Sequence, residues 1–155
     1  MVYYQELISL VKNQFRLDIE SYHGIKHWDK VAKIGVYLAK YTKADPKVVY
    51  FFAYLHDSQR ENESNDQEHG KRAAEYVLGL NRRGLLLIED KQLRQLIYAC
   101  AYHAECEAQS DDITIQTCWD ADRLDLGRIG IVPNPFFLYT EAGKSEKTAE
   151  YVRLL

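Results

Sequence analysis

The stretch Phe51-Phe52-Ala53-Tyr54-Leu55-His56-Asp57 places a histidine and an aspartate at the end of an apolar run. An imidazole and a carboxylate buried among apolar side chains are costly unless an ion or another partner compensates them. Nitrogen and oxygen donors of this kind are also those that divalent transition metals bind. The stretch therefore predicts a metal site at the end of a buried helix.

The whole chain is expected to be all-α, because its apolar residues recur mostly at intervals of three and four. Asp45-Pro46 is typical of a helix start, with the aspartate as the cap and the proline at the first helical position. That helix would end near the His56-Asp57 doublet. Other helices are predicted over residues 4–17, over residues 26–41 with His27 on the apolar face, from a cap at Asp66 to Gly79, from a cap at Asp90 to His103, over residues 113–126 and from about Ser145.

A chain of 155 residues fits one domain, and a domain of this size buries roughly two thirds of the surface that it exposes when unfolded. We expect a compact bundle of about six to seven helices. Its motif-bearing core would span residues 21–130, and residues 131–155 would add a turn and a terminal helix.

The charge balance, 20 Lys plus Arg against 23 Asp plus Glu, includes no basic block that would bind a nucleic-acid polymer or an anionic membrane. No leader-like or membrane-spanning apolar run is visible, which predicts a cytoplasmic protein. The three cysteines lack CxxC spacing and are expected to be reduced thiols rather than disulfides or zinc ligands. A small-molecule partner is the natural expectation.

A four-ligand site can be assembled from His27, the His56-Asp57 doublet and a later aspartate. That aspartate lies in Trp119-Asp120-Ala121-Asp122-Arg123-Leu124-Asp125. Residue type alone does not choose among Asp120, Asp122 and Asp125.

The order of these elements resembles the HD-domain superfamily of metal-dependent phosphohydrolases, whose signature is a histidine, a His-Asp doublet and a distant aspartate. The matching segments are His23-Gly24-Ile25-Lys26-His27, Leu55-His56-Asp57 and Ala121-Asp122-Arg123-Leu124-Asp125. The resemblance implies an HD-like helical bundle and assigns His27, His56, Asp57 and Asp122 as metal ligands. It is this resemblance that selects Asp122 over its neighbours.

The resemblance also implies further roles around the metal. His69 and His103 would bind a second ion or grip phosphate, and Asp57 would then bridge two ions. The remaining candidates are Arg60 for phosphate recognition and Glu61 as a general base, together with His23, Lys26, Arg123 and Asp125 as residues that contact the substrate or orient a ligand.

The function implied is hydrolysis of a nucleotide or another small phosphoester by a water that one or two ions of Mn, Fe, Mg, Co or Ni activate. Two alternatives remain open at this stage. The same ligands suit a di-iron oxygenase, and a small helical domain with such a pocket can also serve as a metal-binding or nucleotide-binding regulatory module without turnover.

Overall fold

The structure, a computed structural model, describes residues 2–155, with side chains from residue 4 onward. Within that range it is all helical and contains no strand, which confirms the predicted fold class. The elements are α1 (Val2–Gln14), α2 (Ile25–Thr42), α3 (Pro46–Leu55), α4 (His69–Arg82), α5 (Asp90–Tyr102), α6 (Ile113–Arg123), α7 (Glu141–Lys144) and α8 (Glu146–Arg153), with 3-10 turns at Leu126–Ile129 and Pro135–Phe137.

Helix α3 begins as predicted, because the Asp45 carboxylate accepts hydrogen bonds from the amides of Lys47 and Val48 at 2.9 and 3.3 Å, and Pro46 occupies the first turn. Its side chains from Val48 to Leu55 are almost all buried. Helix α3 packs against α1, α2, α5 and α6, so it lies at the centre of the bundle. The apolar run of the opening stretch is therefore the core of the fold.

Two predicted caps were wrong. Asp66 does not cap α4, because its carboxylate accepts hydrogen bonds from Arg72 and from the amide of Glu61 instead. Helix α5 begins at Asp90 rather than after it, and Glu89 holds the cap position, where its amide donates to Gln92 Oε1 at 2.9 Å. Glu68, which holds the cap position of α4, makes no side-chain cap hydrogen bond, whereas Glu89 and Gln92 form a capping box at α5.

The C-terminal part is more broken than the sequence indicated. The predicted helix over residues 113–126 ends at Arg123 and gives way to a 3-10 turn, and the four-residue helix α7 precedes the terminal helix α8. The six to seven predicted helices thus become eight in the described residues. No helix among those residues is long and apolar enough to cross a membrane.

Asp120 joins this C-terminal part to α6. Its buried carboxylate accepts hydrogen bonds from the amides of Tyr139 and Thr140 at 2.7 and 2.8 Å and from the Thr140 hydroxyl at 2.7 Å. The carboxylate is thereby fully used in anchoring the chain. Asp120 is consequently not available as a metal ligand, which leaves Asp122 and Asp125 of the three aspartates.

Candidate metal centre

Five helices bring the predicted ligands into one buried cluster. His27 comes from α2, the His56-Asp57 doublet from the end of α3, and Asp122 from α6. His69 is the first residue of α4, and His103 follows α5 directly. The four histidines and Asp57 are at most 5% exposed, whereas the Asp122 side chain is 17% exposed. We call these six residues the ligand cluster.

The histidines of the ligand cluster face one another in two pairs. His27 Nε2 lies 3.1 Å from His56 Nε2, and His69 Nε2 lies 2.8 Å from His103 Nε2. Asp122 Oδ1 completes the first pair, at 3.2 Å from His27 Nε2 and 3.6 Å from His56 Nε2. Each pair forms with Asp57 a group compact enough to hold one ion, and Asp122 forms a further such group with His56 and His103.

Asp57 lies between the two pairs and turns one oxygen to each. Its Oδ2 is 3.6 Å from the Nε2 atoms of both His27 and His56. Its Oδ1 is 3.2 Å from His69 Nε2 and 3.4 Å from His103 Nε2. This is the position that a carboxylate shared by two ions would take.

The Nδ1 atoms of these histidines contact only hydrogen-bond acceptors, and that fixes the state of the rings. His27 Nδ1 donates to Asp125 Oδ2 at 2.8 Å, and His56 Nδ1 lies 3.0 Å from the carbonyl oxygen of Phe52. The other two rings donate from Nδ1 to backbone carbonyls in the same way, His69 to Asp66 and His103 to Cys100. With its hydrogen on Nδ1, a neutral imidazole presents a bare lone pair at Nε2.

The ligand cluster therefore fits divalent metal ions. Facing lone pairs at 2.8 and 3.1 Å repel each other unless a proton or a metal ion lies between them. Four imidazole nitrogens with carboxylate oxygens and no thiolate suit manganese, iron, cobalt or nickel, and the carboxylates also suit magnesium. The buried Cys100 and Cys118 thiols lie outside the set and are free, as predicted.

The electrostatics of the cluster favour positive charge at its centre. Burial would raise the pKa of Asp57, but the imidazoles of His56, His103 and His69 outweigh it and hold that pKa well below its ordinary value. Burial would likewise lower the pKa of His27, but the carboxylates of Asp122 and Asp125 raise it. Both shifts follow from the close contact of imidazoles with carboxylates, each of which favours the charged form of the other.

Gly70 allows α4 and α5 to approach closely enough to pair their histidines. A Cβ atom at this position would lie 2.7 Å from the carbonyl oxygen of Cys100 and 2.8 Å from that of Ala101. Real side chains do not tolerate such distances, so only glycine fits here. His69 and His103 flank this contact and meet because of it.

Two of the remaining candidates lie beside the ligand cluster. Arg60 Nε is 3.2 Å from Asp57 Oδ1, and the side chain is only 11% exposed. Asp125 Oδ2 accepts a hydrogen bond from His27 Nδ1, which orients the His27 ring.

His23 is also buried, and its Nδ1 donates to Glu63 Oε2 at 2.6 Å. Burial lowers the pKa of His23, and the charges of Asp57 and Glu63 oppose this effect only in part.

Three sequence candidates are not brought to the cluster. Glu61 pairs with Arg16 and lies 3.9 Å from Arg72 Nε, with its side chain 46% exposed, so it is not placed as a general base. Lys26 pairs with Glu20 on the surface at 2.9 Å. Arg123 donates to the carbonyl of Phe137 and stacks on Tyr139.

Sequence reasoning missed three residues around the cluster. Lys30 Nζ lies 3.3 Å from Asp125 Oδ1, and Arg128 donates to the carbonyl oxygens of Asp125 and Tyr22. Their spacing gives a weak signal, since each lies three residues after a cluster residue or its partner. Glu63 carries no such signal, because its partner His23 is 40 residues away in the chain.

No family model matches this chain, and no curated protein matches it. A solved structure does: a predicted HD superfamily hydrolase from an uncultured Thermotogales bacterium. The two are 26% identical, the match covers 97% of this chain and 84% of the other, and the TM-score is 0.73. This chain therefore has the HD-domain fold.

Proposed function

We propose that this protein is a metal-dependent phosphohydrolase that acts on a nucleotide or another small phosphoester. The observation that carries the proposal is the pairing of bare Nε2 atoms on either side of Asp57. A site in which so many imidazole nitrogens and carboxylate oxygens point toward two positions is suited to divalent ions.

The residues divide naturally between two ions. His27, His56 and Asp122 would hold the first, and His69 and His103 the second, with Asp57 shared. A bound divalent ion supplies Lewis acidity toward a phosphoryl oxygen and lowers the pKa of a water that it coordinates. The protein would hold one or two ions of Mn, Fe, Mg, Co or Ni.

The chain's own groups would fix this arrangement. The hydrogen bond from His27 Nδ1 to Asp125 keeps the His27 ring aimed at the centre, and the Phe52 carbonyl does the same for His56. Asp122 is the most exposed member of the ligand cluster and is placed to accept a hydrogen bond from water that reaches it. Arg60 brings a guanidinium beside Asp57, where it can bind phosphoryl oxygens.

The proposed substrate is small, and no polymer or membrane is proposed as a partner. The net charge of −3 and the absence of a basic block in the sequence support this choice. A cytoplasmic location is also proposed.

The test is phosphate release from a panel of nucleotides and phosphoesters by metal-stripped protein, with each divalent ion added back in turn. We expect release to require metal and to fall by several orders of magnitude in Asp57→Asn, because that carboxylate contacts both histidine pairs. Glu61→Gln removes the same charge from a neighbouring loop and should retain activity.

Release that survives chelation, or an unaffected Asp57→Asn, would contradict the proposal. If the wild type releases no phosphate with any metal while iron-loaded protein consumes dioxygen, the oxygenase alternative replaces the proposal. If metal binds with neither activity, the protein is a binding module.

A further inference from the structure

Two loops beside the ligand cluster are joined to it and to each other by a ring of hydrogen bonds and ion pairs. On one side Arg60 binds Asp57 through Nε, and its Nη1 donates to the carbonyl oxygens of Asn62 and Ser64 at 3.3 and 3.4 Å. The loop at residues 60–64 is thus folded back over Asp57, and Glu63 lies at its bend.

On the other side Arg128 ties the loop at residues 21–23 to the Asp125 end of the cluster. Its Nε donates to the Tyr22 carbonyl at 2.9 Å and its Nη1 to the Asp125 carbonyl at 3.1 Å. Since Asp125 holds His27, this loop is connected to the first histidine pair in the same way that residues 60–64 are connected to Asp57.

The hydrogen bond from His23 Nδ1 to Glu63 Oε2 joins the two loops. We call this contact the His23–Glu63 clasp. The Glu63 side chain is 38% exposed, whereas the side chains of His23, Arg60 and Arg128 are 11%, 11% and 16% exposed. The clasp is therefore the link of the ring that is most accessible to a solute.

The clasp also occupies donors that suit an anion. His23 is buried, and the guanidinium groups of Arg60 and Arg128 are only 11% and 16% exposed. Asp57 and Asp125 already balance these arginines and would be engaged in the metal centre. Glu63 is the carboxylate on this ring that contacts none of the ligand cluster, so it can leave without disturbing the ligands.

We propose that the His23–Glu63 clasp is a gate: it closes the metal centre, and an incoming phosphate group displaces the Glu63 carboxylate from His23. Glu63 then turns into solvent, and His23 with the guanidinium of Arg60 binds the phosphate. The displacement of Glu63 by phosphate rests on the proposed function, whereas the closure of the metal centre does not.

Metal entry tests the closure directly. Cobalt is mixed with metal-free protein, and the visible absorbance of the bound ion is followed by stopped flow. In Glu63→Gln we expect cobalt uptake and its removal by a chelator to be faster by about tenfold, the factor that one charge-assisted hydrogen bond represents. Glu61→Gln, which has its partners on the other side of the same loop, should match the wild type.

Phosphate binding tests the displacement. With cobalt-loaded protein and inorganic phosphate as the probe, calorimetry should give a Kd about tenfold lower in Glu63→Gln than in the wild type or Glu61→Gln, because the competing carboxylate is gone. Equal melting temperatures of the two variants would show that neither change acts through folding.

Two results would overturn the inference. Metal exchange that is as slow in Glu63→Gln as in Glu61→Gln means that the clasp does not close the site. Weaker phosphate binding in Glu63→Gln means that Glu63 supports His23 as part of the anion site rather than competing for it. A protein that hydrolyses nothing but still exchanges cobalt faster in Glu63→Gln would refute the proposed function while retaining the gate.

Discussion

At the scale of single residues, the candidate metal centre depends on acceptors that contact the Nδ1 atoms of its histidines. Asp125 is 1% exposed and binds His27 Nδ1, while Lys30 and Arg128 balance its charge. This arrangement keeps His27 in the tautomer that presents a lone pair to an ion.

We predict that Asp125→Ala weakens metal binding by about 10–100-fold, because the His27 ring loses the partner that orients it. Asp125→Asn keeps an acceptor oxygen and should lose less. Competition with a chromogenic chelator measures both constants. Unchanged affinity in Asp125→Ala would mean that packing alone holds the ring.

Asp66 provides a second prediction at this scale. Its burial would raise the pKa of the carboxyl, but hydrogen bonds from Arg72 at 2.6 and 2.7 Å and from the amide of Glu61 lower it below 3.8. A lowered folded-state pKa contributes stability above the unfolded value, and this contribution is lost as the pH falls through the folded-state pKa.

Asp66→Asn should therefore lower the free energy of unfolding by about 1–3 kcal/mol at neutral pH. The difference from the wild type should shrink as the pH falls below about 4. Urea denaturation across this pH range measures it. Glu68→Gln, an exposed carboxylate paired with Lys71, should have little effect at any pH, and a pH-independent loss in Asp66→Asn would contradict the electrostatic origin.

At the scale of elements, the site is made by the contact between the start of α4 and the end of α5. Helix geometry alone places His69 and His103 at two unrelated helix ends. The close approach at Gly70 is what turns them into a pair.

Gly70→Ala should destabilise the fold by about 1–3 kcal/mol through overpacking and should abolish binding at the His69–His103 side. Metal content per chain and thermal unfolding measure the two effects. Gly79→Ala is the matched control in the same helix, because a Cβ there meets nothing within 4 Å; it should retain metal and gain stability. Normal metal content in Gly70→Ala would show that the helices can separate without cost.

The same scale explains what the sequence could predict. His27 was placed correctly because the apolar face of α2 is a local pattern, and the doublet because the Asp45-Pro46 start and the apolar run bound α3. Glu61 and Glu63 stand two residues apart in one irregular loop, and only tertiary contacts turn Glu63 toward His23 and Glu61 toward Arg16. Such tertiary contacts produce no periodic pattern in the sequence. The wrong caps at Asp66 and Asp90 have the same origin, since several carboxylates compete locally.

At the scale of the whole molecule, the ligand cluster connects five of the helices, and its facing Nε2 lone pairs repel each other unless a proton or a metal ion lies between them. An ion that binds the folded state and not the unfolded chain stabilises the fold by mass action. Folding and metal binding should therefore be coupled across the entire bundle.

We predict that a divalent ion at 100 times its Kd stabilises the protein by about 2.7 kcal/mol, which corresponds to a rise in Tm of roughly 5–10 °C. Calorimetric melting before and after chelation measures the shift. Asp57→Asn should melt at nearly the same temperature under both conditions. A wild type whose Tm does not change on chelation would argue against coupling of folding and metal binding.

The contact at Gly70 also constrains how this protein can evolve. A side chain at that position and a paired His69 and His103 exclude each other, so a lineage that keeps both histidines must keep the glycine. A lineage that loses either histidine is released from this requirement, and its position 70 becomes free to take the alanine that helices prefer. The residue at position 70 in diverging descendants would thus record whether the contact between His69 and His103 is kept.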